Sequence, residues 1–276
     1  MPESYDYIIV GAGSAGCVLA NRLTEDRARR VLLLEAGGAA DRPEVAIPAA
    51  FKKLFKTDVD WDYETDPQEH LGGRRLAWPR GKMIGGSSSM NAMIYQRGHP
   101  AIYDGWADEG CTGWEWEALL PYFKRSEDQA RGSNPYHGVG GPMRVSDLPA
   151  PNPLSKAFVQ AAKQLGFPPN EDFAGPQQRG FGLFQVTQRN GRRESAATAF
   201  LEPALDRPNL TIRTHARVTS LRWEGRRCVG VVYRRDGATQ KVSADTEVIL
   251  SAGAINSPQL LMLSGVGPAD DLAELD

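Results

Sequence analysis

Six residues near the start, Gly11-Ala12-Gly13-Ser14-Ala15-Gly16, constrain this chain more than any other run. Before them, Tyr5-Asp6-Tyr7-Ile8-Ile9-Val10 is short and apolar, as a strand buried in a parallel sheet must be. After them, Cys17 to Leu23 has helical spacing, and Arg30-Val31-Leu32-Leu33-Leu34-Glu35 reads as a second buried strand. The order is strand, tight turn, helix, strand, with GxGxxG at the first junction. Gly11 permits the turn, Gly13 lets a pyrophosphate approach the backbone, and Gly16 lets the helix pack close to the strand. Ser14 and Ala15 open the helix, whose free N–H groups and dipole favour a diphosphate. Glu35 ends the second strand, 19 residues after Gly16, where an acid accepts hydrogen bonds from an adenosine ribose and repels a 2′-phosphate. The expectation is a dinucleotide site in an α/β fold; a glycine-rich turn in some other α/β protein is the alternative. The motif alone does not separate NAD from FAD.

A second junction lies far along the chain. Glu247-Val248-Ile249-Leu250-Ser251 reads as a strand that stops in the small residues Ala252-Gly253-Ala254. Ser257-Pro258 reads as an N-cap and first-turn proline, with a helix through Leu263 and a stop at Gly265. Leu210 to Val218 and Val229 to Tyr233 read as strands, with a turn at Glu224-Gly225. A simple NAD domain would continue its alternation after Glu35. Here about 170 residues of loops and short elements intervene before the sheet resumes, as FAD-binding folds commonly do.

Within that insertion stands Gly85-Gly86-Ser87-Ser88-Ser89-Met90-Asn91, small and polar, between Met83-Ile84 and Met93-Ile94. Residues 81–95, GKMIGGSSSMNAMIY, resemble the first signature of the glucose-methanol-choline (GMC) oxidoreductases, and residues 253–267, GAINSPQLLMLSGVG, resemble the second. Residues 136–142 and 190–201 are also similar to family segments, so the resemblance covers essentially the whole chain, nearest to choline dehydrogenase-like and alcohol dehydrogenase-like members. An NAD-dependent dehydrogenase would have no use for either signature.

The resemblance implies an α/β fold with a Rossmann-like, parallel-sheet FAD-binding domain and the start of an α+β substrate domain. It implies FAD-binding parts at 1–149, with a flavin-contact loop at 79–98, and at 204–276, around a partial substrate domain at 150–203. It implies cofactor contacts from Ala36 beside Glu35, from Met83, Gly85, Gly86, Ser87 and Ser88, from Asn91, Ala92, Met93 and Ile94 on the flavin side, from Val218 at the adenine, and from Ala252 and Gly253. Loop N–H groups and serine hydroxyls would bond to phosphate and flavin heteroatoms. Some members attach FAD through a histidine in this loop; Met90 stands at that position, which implies non-covalent FAD. Trp61 and Trp78 flank the loop, either over the cofactor or as ordinary core aromatics.

The implied reaction is oxidation of a primary alcohol, choline or another small alcohol, to the aldehyde, with oxygen or a quinone as electron acceptor. The family's base is a histidine from the carboxy-terminal half. No histidine here lies in a matching segment: His137 reads as structural, and His70, His99 and His215 as surface or structural residues. No catalytic residue is therefore assigned. The expectation is a fragment of a full enzyme, with a non-catalytic FAD-binding half-protein as the alternative.

The remaining numbers exclude other classes. With 32 basic and 34 acidic residues nothing points to nucleic acid. Cys17, Cys111 and Cys228 are far apart, without metal-ligand spacing. The amino terminus carries no basic leader, and no apolar run reaches about 18 residues. A reduced, cytoplasmic setting without a membrane span or metal is expected.

Overall fold

The computed structural model describes residues 3–274. They form two compact units, 3–91 with 195–274, and Ala92–Glu194.

The first unit is built on a six-stranded sheet. Its strands are β1 (Ser4–Val10), β2 (Val31–Leu34), β3 (Leu210–Arg213), β4 (Arg217–Glu224), β5 (Arg227–Arg235) and β6 (Ala238–Leu250). The spatial order is β4-β5-β6-β1-β2-β3. β6, β1, β2 and β3 run parallel, while β4 and β5 are antiparallel additions. This is the expected α/β class. Ile8, Ile9, Leu32 and Leu33 are wholly buried although neighbours along a strand point to opposite faces, so both faces of β1 and β2 are covered. Tyr5, Ile8, Val10, Leu32 and Leu34 share a cluster with Val242 of β6 and with Leu221, Val231 and Tyr233 from the antiparallel strands.

Helix α1 (Ser14–Leu23) follows β1, and α2 (Gly253–Met262) follows β6. The two strand-to-helix turns are laced together. Ser251 N–H donates to the Val10 carbonyl at 2.9 Å, and Ser251 Oγ donates to the Gly11 carbonyl at 2.8 Å. The α1 turn is close-packed because Gly16 lacks a side chain: a Cβ there would lie 1.9 Å from the Gly11 carbonyl oxygen.

Two sequence expectations are corrected. Helix α2 begins at Gly253, not at Ser257, and Pro258 lies inside it. The turn is set by where β6 leaves the sheet, and Pro258 forgoes only a bond to the Ala254 carbonyl one turn back. The expected stop holds: Gly265 has φ +77°, and Val266 N–H donates to the Leu261 carbonyl at 2.9 Å. The run 210–218 is two strands, not one. His215 adopts φ +54° and breaks it, sending β3 and β4 to opposite edges of the sheet.

The second unit holds helices Pro100–Asp108, Trp116–Ser126 and Pro153–Gln164 and short strand pairs. Tyr103 packs against Trp106, Trp116 and Phe123, with ring centroids 5.1–5.9 Å apart. Among the described residues no helix is long and apolar enough to cross a membrane.

Candidate cofactor site

A cavity of about 820 Å³ opens in the first unit where β1, β2 and β6 end. Such crevices beyond the carboxyl ends of parallel strands are where α/β sheets take ligands, and the volume lies in the usual range for ligand sites. Of the residues expected from sequence, Gly11, Gly13, Ser14, Ala15, Glu35, Ala36, Gly86, Ser87, Val218, Ala252 and Gly253 line it. They come from five chain segments, brought together by the sheet.

Two helix amino ends meet this space. Neither α1 nor α2 has a side-chain cap. Among the described residues no acceptor binds the N–H groups of Ser14, Ala15, Gly253 or Ala254. Uncapped first-turn N–H groups facing one cavity make an anion site. Beside them Gly13 is open: a Cβ there would meet nothing nearer than the Ser251 carbonyl oxygen at 3.9 Å.

Glu35 is buried at the end of β2, 6% exposed. Its carboxylate accepts from Ala12 N–H at 2.9 Å and Gly37 N–H at 2.8 Å. Burial pushes this carboxyl up, against the backbone N–H groups of Gly37, Ala12 and Ala36 and the Lys82 charge, which pull it down. Each oxygen keeps acceptor capacity beyond its backbone bond. Cys17, buried below the turn, is inert: desolvation pushes its thiol up to about 12.

The polar run Gly85–Asn91 forms a tight turn, Gly86–Ser89, pressed onto the β1–α1 junction. Gly85 N–H donates to the Ala12 carbonyl at 2.7 Å. Gly86 has φ +52°, and a Cβ on it would lie 2.8 Å from Gly13 Cα, so only glycine allows this approach. Met83 and Met90 anchor the two ends of the turn in an apolar cluster with Val45, Leu54 and Val59. The serines do less outward work than their hydroxyls suggest. Ser88 Oγ donates to the Gly85 carbonyl at 2.6 Å and accepts from Ala196 N–H at 2.9 Å, and Ser89 Oγ donates to the Ile84 carbonyl at 2.9 Å. Ser87 Oγ accepts from Gly81 N–H at 3.2 Å and lines the cavity.

Gly16, Met83, Gly85, Ser88 and Asn91 belong to the same unit without lining the cavity. Ala92, Met93 and Ile94 belong to the second unit. There Met93 is buried at φ +60°, its carbonyl accepts from Thr187 N–H at 2.8 Å, and Ala92 and Ile94 line an apolar groove of about 550 Å³. Of the two tryptophans, Trp61 lines the cavity; Trp78 does not, lies 46% exposed, and has the Arg80 guanidinium over its ring.

Sequence reasoning missed the buried charge cluster of the second unit. Glu127 accepts from Arg97 Nη2 at 2.7 Å, and His137 Nδ1 lies 2.8 Å from it. His137 Nε2 lies 2.9 Å from Asp172. Burial alone would lower the His137 pKa; hydrogen bonds and charge from Asp172 and Glu127 outweigh it and raise the group from 6.5 to about 9. A raised histidine stabilises the fold fully below its unfolded value, and that stabilisation is lost as pH rises through about 9. Unfolding free energies from denaturant titrations between pH 6 and pH 10 are expected to fall across this window by on the order of 3 kcal/mol, and His137→Gln to flatten the fall. Asp172, whose pKa is held down by His137 against the pull of its own burial, adds the opposite loss on the acid side. Among the described residues no group of three or more His, Cys, Asp or Glu is placed to hold a metal.

FAD fits the cavity on the chain's own terms. There is an uncapped helix start beside a glycine open to the cavity, an acid at the end of β2, and a backbone turn pressed close by Gly86. Mouse mitochondrial choline dehydrogenase is 49% identical over 99% of this chain and 47% of that protein. The Pseudomonas putida alcohol dehydrogenase [acceptor] is 50% identical over 98% of this chain and 50% of its own length. In three dimensions the chain is similar to pyridoxine 4-oxidase from Mesorbium loti, with TM-score 0.93 and 42% identity over 98% of this chain and 53% of that one. The chain thus spans about half the length of the curated relatives it matches. The family described as GMC oxidoreductase matches residues 5–274, both strand-to-helix junctions and the turn between them included, and the chain belongs to this family of FAD-binding oxidoreductases.

Proposed function

We propose that this chain is the FAD-holding half of an enzyme that oxidises a primary alcohol, choline-like or another small alcohol, to the aldehyde. The observation that carries the reading is the uncapped start of α1 beside the open face of Gly13, in a cavity with Glu35 at its far strand end. The N–H groups of Ser14 and Ala15 would hold the diphosphate, Glu35 the adenosine ribose, and Val218 the adenine. Gly85 to Asn91 would serve the flavin side. Bound FAD supplies the acceptor for the hydride that leaves the alcohol carbon. The relatives' names, choline dehydrogenase, alcohol dehydrogenase and pyridoxine 4-oxidase, support an alcohol as the substrate class.

FAD is held without a covalent bond in this reading. Met90 has no nucleophilic atom suited to flavin attachment, and its side chain is buried, 2% exposed, among Val45, Leu54, Val59 and Met83. The proton acceptor for the alcohol is contributed by residues beyond this half: the titratable acid lining the cavity is Glu35, whose carboxylate is engaged with backbone N–H groups.

The test is the visible spectrum of the purified chain reconstituted with FAD, anaerobic addition of small alcohols to one portion, and acid denaturation of another. A flavin spectrum, flavin released to the supernatant and no bleaching by alcohols are expected. A folded chain that takes up no flavin would overturn the cofactor reading. Flavin that stays with the precipitate would overturn the non-covalent one. Bleaching by an alcohol would place a working base within these residues.

A further inference from the structure

The β4–β5 hairpin forms one edge of the sheet, and its open end borders the cavity. Arg217 begins β4 and Arg234 stands near the end of β5, directly opposite each other in the antiparallel register. Cross-strand partners of this kind share a face, and like charges so placed destabilise the pair of strands. Both arginines are exposed, and both line the cavity. Neighbouring arginines of the same sheet are compensated: Arg213 pairs with Glu3, and Arg235 with Asp236 at 3.6 Å. Among the described residues Arg217 and Arg234 form no ion pair.

More positive charge stands beside them. The Arg217 guanidinium lies 5.6 Å from the Trp61 ring centre, and Lys82 Nζ lies 5.2 Å from the same ring. Arg80 also lines the cavity, and its guanidinium donates to the Pro79 carbonyl at 2.8 Å. Against these cations the described lining holds one carboxylate, Glu35, which is buried and already accepts from Ala12 and Gly37 N–H. The cavity is therefore locally positive in a chain whose net charge is −2. A cleft lined by charge of one sign, with low-dielectric walls, focuses field lines and raises the rate at which an oppositely charged ligand is captured.

We propose that Arg217 and Arg234 are a steering pair: their charge draws the anionic diphosphate of FAD into the cavity, and in the flavin-free chain the same two charges repel each other and weaken the hairpin. The inference rests on the FAD reading of the cavity. The pair acts on capture. The diphosphate seat at α1 and the ribose contact at Glu35 belong to other residues, so release is set there. A repulsion that the sheet would be more stable without is kept because it serves the ligand.

The experiment is rapid mixing of the flavin-free chain with FAD, followed by flavin fluorescence. Arg217→Gln and Arg234→Gln are each expected to slow association about threefold in ~0.01 M salt, where charges act over ~30 Å, and to match the parent in ~1 M salt, where they act over ~3 Å. Release is expected to keep its parental rate, since charges at the rim of a site govern association. Arg234→Lys keeps the charge and is expected to keep the rate. Arg226→Gln makes the same charge change at the far end of the hairpin, exposed and outside the cavity lining, and is expected to leave association unchanged. Glutamine variants that associate at the parental rate in low salt, or that only release faster, overturn the steering pair, as does an equal slowing by Arg226→Gln. A second readout needs no flavin. Arg234→Gln leaves the Trp61 contact of Arg217 in place, and it is expected to raise the apparent Tm of the flavin-free chain by about 1–2 °C in low salt; an unchanged or lower Tm overturns the repulsion. A parent chain that takes up no FAD overturns the cofactor reading and the steering with it, whereas uptake at a rate indifferent to both arginines and to salt overturns the steering alone.

Discussion

Replacing Gly13 with aspartate is expected to leave a chain that folds at least as well as the parent and no longer binds FAD. Glycine at this position is not required by the fold. Gly13 has φ −75° and ψ −162°, an extended conformation that any residue adopts, and a Cβ would find its nearest neighbour 3.9 Å away. It is also the N-cap of α1. An aspartate there accepts from the free N–H groups of the first turn and stabilises the helix by roughly a few tenths of a kcal/mol relative to glycine. The same carboxylate occupies the anion site and repels a diphosphate. Like charges so placed cost several kcal/mol, so affinity is expected to fall at least about 100-fold. Thermal unfolding of the flavin-free chain and a flavin titration separate the two effects. Gly16→Ala is the contrast: its Cβ would lie 1.9 Å from the Gly11 carbonyl oxygen, so it is expected to lose stability first and flavin as a consequence. Stoichiometric flavin on the Gly13→Asp chain would remove the diphosphate from the start of α1.

These two glycines mark how far the sequence can be read. β1, the turn, α1 and β2 are legible because their signals are local: an apolar run, a glycine spacing and a helical period within residues 5–35. The family signatures carry the rest of the site in the same way, since Gly85-Gly86 and Ala252-Gly253 are small where backbones must meet. What fails is non-local. Ser257-Pro258 has the composition of a helix start, yet α2 starts where β6 leaves the sheet, four residues earlier. Leu210 to Val218 looks continuous, and only the backbone of His215 reveals that β3 and β4 part to opposite edges. The hydroxyls of Ser88 and Ser89 look available for a ligand, but they close the turn on carbonyls within five residues. The bond from the Tyr63 hydroxyl to Asn256 spans 193 residues and has no sequence signal at all.

The second unit holds the other large expected effect, Glu127→Gln. The Glu127 side chain is 0% exposed, and its ion-pair partner Arg97 is 1% exposed. The carboxylate also accepts from Gly138 N–H at 3.0 Å and Gln129 Nε2 at 3.1 Å, and lies 2.8 Å from His137 Nδ1. Every neighbour is a donor, so an amide of the same shape brings an N–H2 group where no acceptor faces it. It also strands the buried Arg97 charge. Removing one member of a buried pair typically costs about 3–5 kcal/mol, far more than the pair's net worth, because the other charge stays desolvated. The apparent Tm of the second unit, followed by near-UV circular dichroism of its tryptophans, is expected to fall by roughly 10–20 °C. The change has a second signature that simple loss of packing would not produce. His137 would keep Asp172 as a counter-ion and lose Glu127, so its pKa would drop from about 9 toward its unfolded value. The alkaline loss of stability would then shrink along with the total. A Glu127→Gln chain that is destabilised but retains the full fall between pH 6.5 and 9 would assign the histidine's charge to Asp172 alone.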